Sequence, residues 1–579
     1  MLTADLQLIK MNAYNSQYSA GQYAFDRTYT QGPDPNQSTL NGGNGMATML
    51  LGLPIAGALT ISNRLFLYNK YYGFYVADDF HVNKKLTLNL GLRYEYTTPY
   101  AEKFGNLSYF DFNGTEPLTG RKGVLKFIKP GGYQSDPKRL NFSPRVGFAY
   151  QLNSKTVIRS AGAIFYAANN GLNNAATDFG TGGFTSNFLY LGQTNPLGAS
   201  TPPIGGSWEN PFAAGITGID KTSSFAGRAV RADTRNHPLA YVSNWTLSIQ
   251  RMVTSTLMVE GAYVGSKITH LFWNRQNNQD SPLLLPLGNQ LLQPVANPFI
   301  GQIKTGALSG PTITLRQALR PYPQYLDVLI FRDPYGDSEY ESATLRVEKQ
   351  YARGLTFSAG YTFSKAIAST GESNTWVVGP SNALYNPKYN RSLEANDLTH
   401  RLVLSYVWDT PIGIGKPYLS HGVVGRVLGN WEVTGITVIQ GGRPILITAP
   451  DNTHLLNFSY TNGRANRLHD PVLSHGQGTQ EWFDTTAFAE APAFTVPNDS
   501  LSQPHLRGPG LVSFNVGAFK NIPFKERLNF QFRAEFFNIF NHPALEVRYS
   551  STDVTSSQFG QIVSGGGERN IQLGVRVIF

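Results

Sequence analysis

The chain closes on NIQLGVRVIF, where apolar Ile571, Leu573, Val575, Val577 and Phe579 alternate with Gln572, Gly574 and Arg576. A period of two places one oily and one wet face on a β-strand. KLTLNLGLRYEY repeats the pattern, with Leu86, Leu88, Leu90, Leu92, Tyr94 and Tyr96 against Thr87, Asn89, Gly91, Arg93 and Glu95. LTFSAGYTFS sets Leu355, Phe357, Ala359, Tyr361 and Phe363 against Thr356, Ser358, Gly360, Thr362 and Ser364. LNFQFRAEFF sets Leu528, Phe530, Phe532, Ala534 and Phe536 against Asn529, Gln531, Arg533 and Glu535. NWTLSIQ and ATLRVEK continue the theme. TVIRSAGAIFY and NWEVTGITVIQ are strand-like, but their faces cannot be assigned.

Connection lengths alternate. Short links (HVNK, QLNSK, MVTS, YARG, PFKER) join pairs of strands. Long Gly-, Asn- and Pro-rich segments separate the pairs, near 97–143, 167–240, 266–338, 365–399, 441–510 and 538–569. The link between Trp408 and Trp431 is longer than its peers but keeps the parity. Strands of about 9–11 residues cross a bilayer when tilted. Short turns on one rim and long loops on the other mark an outer-membrane barrel. Thirteen strands are readable from Tyr71 onward, and LQLIKMNAY supplies one more. The expected fold is therefore an all-β, antiparallel transmembrane barrel of about fourteen strands, or sixteen if a long loop hides a hairpin. Its last strand descends to the short-turn side.

Composition narrows the alternatives. Charged residues are 15% of the chain, against about 25% for an ordinary soluble domain. A soluble β-sandwich also alternates, but its wet faces carry many Lys and Glu. Here those positions are mostly Ser, Thr, Asn and Gly, with single Arg or Glu residues. Tyr94, Tyr96, Trp408 and Phe579 fall near strand ends, as interfacial girdles would. Mean hydropathy of −0.24 excludes a helical membrane protein. The longest uncharged apolar stretch, Met46 to Ser62, holds Gly52, Pro54 and Gly57. It falls short of the roughly 20 residues a spanning helix needs and reads as a loop or short helix on the barrel. MLTADLQLIK has neither the basic nor the apolar region of a secretory signal.

Candidate chemistry is sparse. The chain has no Cys, so disulfides and thiolate metal sites are excluded. Its ten His are scattered without a zinc-binding helix motif, and no nucleophile elbow occurs. TPIGIGKP lacks the first Gly of a phosphate loop and has Pro417 after Lys416. No enzymatic role, cofactor or metal is expected. The net charge of +10 is spread along the chain without a basic run, so nucleic acid is not an expected partner; an anionic lipid or sugar-phosphate surface is the plainer reading. Arg93 with Glu95, Arg346 with Glu348, and Arg533 with Glu535 stand two apart on single strand faces and are the lumen candidates. They are either ion pairs that hold strands together or contacts for a ligand.

Several segments resemble strand–turn–strand units of TonB-dependent outer-membrane receptors: YYGFYVADDFHVNKKLTLNLGLRYEYTTP, LNFSPRVGFAY, NWTLSIQRMVTSTLMVEGAYVGSK, SATLRVEKQYARGLTFSAGYTFSKAI and DLTHRLVLSYVWDTPIGIGK. LRGPGLVSFNVGAFKNIPFKERLNFQFRAEFFNIFNHPAL is similar to the end of the Oar-like branch, whose members often carry a carboxypeptidase-regulatory-like domain in front. The resemblance runs from about Asn44 to Phe579. It implies that Gln572, Gly574, Val577 and Phe579 form the signal read by the barrel-assembly machinery. A terminal strand with an exposed edge can be captured by strand addition. It also implies import of a scarce or bulky solute (oligosaccharide, peptide or chelate), with specificity in loops 167–240, 266–338 and 441–510. Family members begin with a signal peptide, a TonB-binding motif and a plug, and close at about 22 strands. No such segment is legible here, so residues 1–579 are expected to be a single barrel domain, part of a larger barrel, with a TonB partner only if a plug precedes it. The alternatives are a passive plugless pore or surface adhesin, and a soluble secreted β-protein.

Overall fold

The structure is a computed structural model that describes residues 2–13, 21–25, 27, 30, 43–52, 56–62, 64–167, 185–191, 221, 224–236, 238–304, 308–369, 387–450, 462–474, 476–500, 502–525 and 528–578. Among the described residues the principal sheet has seventeen strands. Three of these are short additions, Ala101–Glu102, Ala229–Ala232 and Ser392–Leu393, which leaves fourteen long strands.

The long strands are β1 (Leu2–Ala13), β2 (Leu65–Asn83), β3 (Leu86–Thr97), β4 (Phe142–Asn153), β5 (Thr156–Tyr166), β6 (Tyr241–Met252) and β7 (Leu257–Gln276). The series continues with β8 (Asp327–Ala352), β9 (Leu355–Ala368), β10 (His400–Asp409), β11 (Trp431–Gln440), β12 (Leu511–Lys525), β13 (Leu528–Phe537) and β14 (Asn570–Ile578). Each pairs antiparallel with the next in chain order, the meander that hairpins and long returns produce. LQLIKMNA lies in β1, paired with β2 from Leu2↔Val76 to Ala13↔Leu65, and the Tyr14 that follows lies outside the described residues. Among the described residues β1 pairs only with β2, and β14 only with β13.

Local chemistry sets the tight turns. Asn83 Oδ1 accepts the backbone N–H of Lys85 (2.8 Å) and Leu86 (3.0 Å), which closes the β2–β3 hairpin. Asn153 does the same for Lys155 at 3.0 Å between β4 and β5. Between β8 and β9, Arg353 (φ 54°) and Gly354 (φ 78°) make a two-residue turn with both residues left-handed. A Cβ on Gly354 would also lie 2.7 Å from the Asp409 carbonyl oxygen.

Seven long connections (14–64, 98–141, 167–240, 277–326, 369–399, 441–510 and 538–569) leave one rim, and the short turns leave the other. Extra strand pairs within the long loops stand outside the principal sheet, among them Ser108–Thr115 with Lys122–Phe127, and Thr448–Pro450 with Asn462–Arg464. The 266–338 segment departs most from its sequence reading. β7 and β8 run on to Gln276 and from Asp327, with register shifts at Leu271, Trp273 and Arg275. Bulges absorb the residues that break alternation there, so the ladder climbs past membrane height. The apolar stretch from Met46 to Ser62 divides into a helix, Gly45–Leu50, capped by Asn44, and a strand, Ala56–Ser62, which pairs with Thr185–Leu191. No helix among the described residues is long and apolar enough to cross a membrane, which says nothing about strands.

The two faces are chemically distinct. One carries Phe74, Val76, Leu90, Leu92, Val146, Phe148, Leu247, Leu345, Phe363, Phe532 and Leu573, all strongly exposed. A row of this extent is a liability in water and an asset in hydrocarbon. Near its loop-side edge Tyr94 stacks against Phe74 (6.5 Å) and Phe142 (5.2 Å), and Tyr96 against Tyr72 (6.0 Å). Trp408 is exposed at the turn-side edge; Phe579 lies outside the described residues. On the same face the Trp245 ring lies over Gly265, 2.2 Å from where a Cβ would stand. Only glycine fits under that indole. The faces of β10 and β11 are hard to read from sequence because both are apolar. Leu402, Leu404, Val433 and Ile439 share the outward face, while Val403, Val407, Ile436 and Val438 share the other.

Leu345, half exposed near the middle of β8, and its neighbour Thr344 on the opposite face separate the two environments. Leu345→Lys is expected to cost about 2–4 kcal/mol in the bilayer and to deplete the folded, heat-modifiable band from the outer-membrane fraction. Thr344→Lys is expected to leave that band intact. Equal loss in both variants would contradict this assignment of faces.

Candidate functional site

The polar face and the loop layer above it form the candidate site. Every charged pair singled out from the sequence closes on its own strand. Arg93 Nε donates to Glu95 Oε1 at 2.7 Å. Arg346 Nη2 donates to Glu348 Oε1, and Arg533 Nη2 to Glu535 Oε1 at 3.1 Å. The pairs recruit neighbours that spacing alone does not reveal. Tyr71 of β2 donates its hydroxyl to Glu95 Oε1 (2.8 Å) and accepts from Arg93 Nη2. Arg533 lies 4.4 Å from the Phe519 ring centroid. Arg145 of β4 sits between the rings of Phe165 (4.8 Å) and Tyr75 (5.6 Å), and its Nε has no hydrogen-bond partner. Such cation–π contacts hold a guanidinium without neutralising it.

Glu348 and Glu535 line one hollow of about 620 Å³ together with Ser358, Ser405, Ile436 and Asn515. These residues come from β8 to β13, strands that would span about 24 Å if laid flat at their usual spacing. A single hollow shared by all of them means that the sheet curls around its polar face. Thr344, Arg346, Ser358 and Gly360 line a smaller hollow of about 350 Å³.

Over this face the long loops fold into packed bodies. In the first, Phe110, Leu125, Val230, Ala232, Tyr325 and Val328 are buried together. Ala229–Ala232 extends β8 there as a parallel partner of Asp327–Ile330. Asp280 is nearly fully buried and held by Arg316 and by Arg320 at 3.4 Å. Glu102 is fully buried, and its carboxylate accepts three backbone N–H groups, from Phe66 (3.0 Å), Phe104 (2.8 Å) and Asn106 (2.7 Å). Burying these charges is tolerable only because each is met by donors or counter-ions. Burial pushes the Tyr325 hydroxyl well above its usual range, so it stays a neutral donor to the Gly123 carbonyl at 3.2 Å.

The second body joins loops 441–510 and 538–569. Ile445, Ile447, Phe483, Phe488 and Leu506 are its core, with Trp482 and Phe559 against them. Arg464, 1% exposed, is the pin. It donates to the Tyr389 carbonyl at 2.8 Å and to Asn390 Oδ1, and it lies 4.0 Å from the Tyr389 ring centroid. Burial draws its affinity for a proton down, yet an arginine side chain remains charged. The same burial pushes the nearby Asp499 carboxyl up. None of these residues stands out in the sequence, because their partners are not at periodic spacing, and those of Arg464 at Tyr389 and Asn390 lie on another loop. Among the described residues no group of three His, Asp or Glu is placed to hold a metal.

Of the terminal residues, Gln572 and Gly574 stand on the polar face opposite Glu535 and Arg533. Val577 stands on the apolar face opposite Phe530, and Phe579 lies outside the described residues.

The family model described as outer membrane beta barrel domain matches residues 4–572. The chain belongs to the outer-membrane β-barrel domain family. Its place is therefore the outer membrane, with the apolar face in lipid and the polar face turned to the lumen. No curated protein matches the chain. Among solved structures, the outer membrane transporter YddB of Escherichia coli is 9% identical with a TM-score of 0.40, and the match covers 100% of this chain and 60% of that one. The ferric-catecholate import receptor Fiu of E. coli K12 is 11% identical with a TM-score of 0.37, covering 90% and 50%. The pyoverdine receptor FpvA of Pseudomonas aeruginosa PAO1 is 11% identical with a TM-score of 0.37, covering 90% and 43%. The chain thus spans from 43% to 60% of the length of these three proteins.

Arg464→Met leaves the Tyr389 carbonyl and Asn390 amide unpaired and is expected to cost the second loop body about 2–3 kcal/mol. Proteinase K added to intact membranes should then cut within 441–510 faster than in the parent, while the barrel core keeps its heat-modifiable migration. An unchanged cleavage pattern would contradict the role of Arg464 as the pin.

Proposed function

We propose that this barrel is the membrane portion of an Oar-like TonB-dependent receptor that captures a bulky solute in its loop layer and passes it through the lumen. The solute classes that fit are an oligosaccharide, a peptide or a chelate. The observation that carries the reading is the asymmetry of the rims. One rim holds the shorter turns, and the other holds seven long connections whose described parts pack into cored bodies above a hollow into which Glu348 and Glu535 are set. A passive pore needs only a lined channel. A layer stabilised by Arg464, Asp280 and Glu102 is preorganised, and preorganisation lowers the cost of binding a ligand.

The remaining parts of the reading follow from the same frame. Residues 1–579 act as one barrel domain. Arg93, Glu95, Arg346, Glu348, Arg533 and Glu535 line the solute path as ion pairs, each closed within one strand. Gln572, Gly574, Val577 and Phe579 serve as the assembly signal on the edge strand β14. TonB is the energy partner through segments that such receptors carry ahead of the barrel.

Planar-bilayer recording separates this reading from its main rival. Purified chain with its loop layer intact should conduct poorly, and conductance should rise after proteolytic trimming of 441–510. High ion conductance by the untrimmed chain would favour a passive pore and overturn the receptor reading.

A further inference from the structure

The outward face carries two hollows just beyond its aromatic edge, and both are lined by cationic side chains. The larger, about 730 Å³, lies where β9 leaves the aromatic band. Phe363 forms its floor, and Lys365, Lys388, Arg391, His505 and Arg507 surround it. Parity places it outside the barrel. Phe363, Lys365 and Ile367 continue the apolar face of Phe357 and Tyr361, opposite the lumen positions Ser358 and Thr362. Arg391 is anchored by Asp337 at 2.7 Å and Glu339 at 2.9 Å, and Arg507 by Asp397 at 2.5 Å. Glu341 stands across the strand pair from Lys365, but its carboxylate accepts the Tyr263 hydroxyl. Lys365 and Lys388 are exposed and form no ion pair among the described residues. No carboxylate lines the hollow.

The second hollow, about 390 Å³, has the same build on the same face, where β5 and β6 leave the aromatic band. Tyr166 and Tyr241, whose ring centroids are 5.7 Å apart, form its aromatic floor. Lys138, Arg139 and His270 stand over them, again with no carboxylate in the lining.

We infer that these hollows hold the phosphate groups of an anionic glycolipid in the outer leaflet. Three observations converge. The hollows face lipid rather than the lumen. They begin where the apolar band ends, at headgroup depth. They pair cations with an aromatic floor and hold no carboxylate in the lining, and cations at a membrane surface attract phosphate-bearing lipids. Arg391 is fixed by its two carboxylates, while the flexible lysines are the cations left to reach a ligand. The inference rests on the barrel orientation and is independent of which solute the lumen carries.

The test uses the detergent-purified full chain, with diphosphorylated lipid A as the probe and native mass spectrometry as the readout. The parent chain should retain bound lipid A, and inorganic phosphate should not displace it. Lys365→Gln/Lys388→Gln should bind lipid A at the larger hollow about 30-fold more weakly, the loss of two cationic contacts of about 1 kcal/mol each, so that the species with two bound lipid A molecules is depleted relative to the parent. Arg346→Gln, which changes a lumen pair, should bind like the parent. Equal retention by the double variant, or displacement by inorganic phosphate alone, would overturn the proposal. Flotation with lipid vesicles is scored in parallel. A chain that floats without retaining lipid A defeats this inference alone, and a chain that does not float defeats the barrel reading as well.

Discussion

A bilayer interior offers no water to an unpaired peptide group, and the rest of this architecture answers to that fact. Each N–H and C=O within the hydrocarbon must find a partner in the sheet. The meander satisfies this demand strand by strand, since every long strand pairs with its successor. The demand is heaviest at β1 and β14, each with one paired edge among the described residues. Curling around the polar face, visible in the single hollow shared by β8 to β13, brings the edges of such a sheet toward one another.

The same constraint divides the labour between segments. Within the membrane the outward side chains need only be apolar, so Leu345, Leu573 and Val575 are interchangeable in kind. The inward side chains are small, polar or paired, as Arg93–Glu95 and Arg533–Glu535 are. Beyond the membrane the logic reverts to that of a soluble protein. The loop bodies have buried cores around Phe110 and Phe483 and buried charges met by several donors. Lys365 and Lys388 stand at the boundary, where a cation can remain hydrated and still reach lipid phosphate.

How much of this is legible in the sequence follows from how local each feature is. Alternation is local, so the strands, their faces around KLTLNLGLRYEY and LTFSAGYTFS, and the parity of turns and loops can be read directly. The same-strand ion pairs are legible too, because both partners lie two apart on one strand. β11 resists face assignment because Val433 and Ile439 oppose Ile436 and Val438. The upper ends of β7 and β8 are missed because bulges break the period that reveals a strand. The loop cores are illegible in principle. Arg464 finds Tyr389 seventy-five residues away, and Gln324 reaches the Lys122 carbonyl across 202 positions. No periodicity encodes such contacts.

The chain crosses the outer membrane with its long loops outside and its short turns inside. A chain without Cys allows a direct test by single-cysteine labelling with a membrane-impermeant maleimide on intact cells. Leu283→Cys, in a strongly exposed part of the long connection after β7, should label on intact cells. Lys85→Cys, in the β2–β3 turn, should label only after the outer membrane is opened. Labelling of Lys85→Cys on intact cells while Leu283→Cys stays protected would contradict the account.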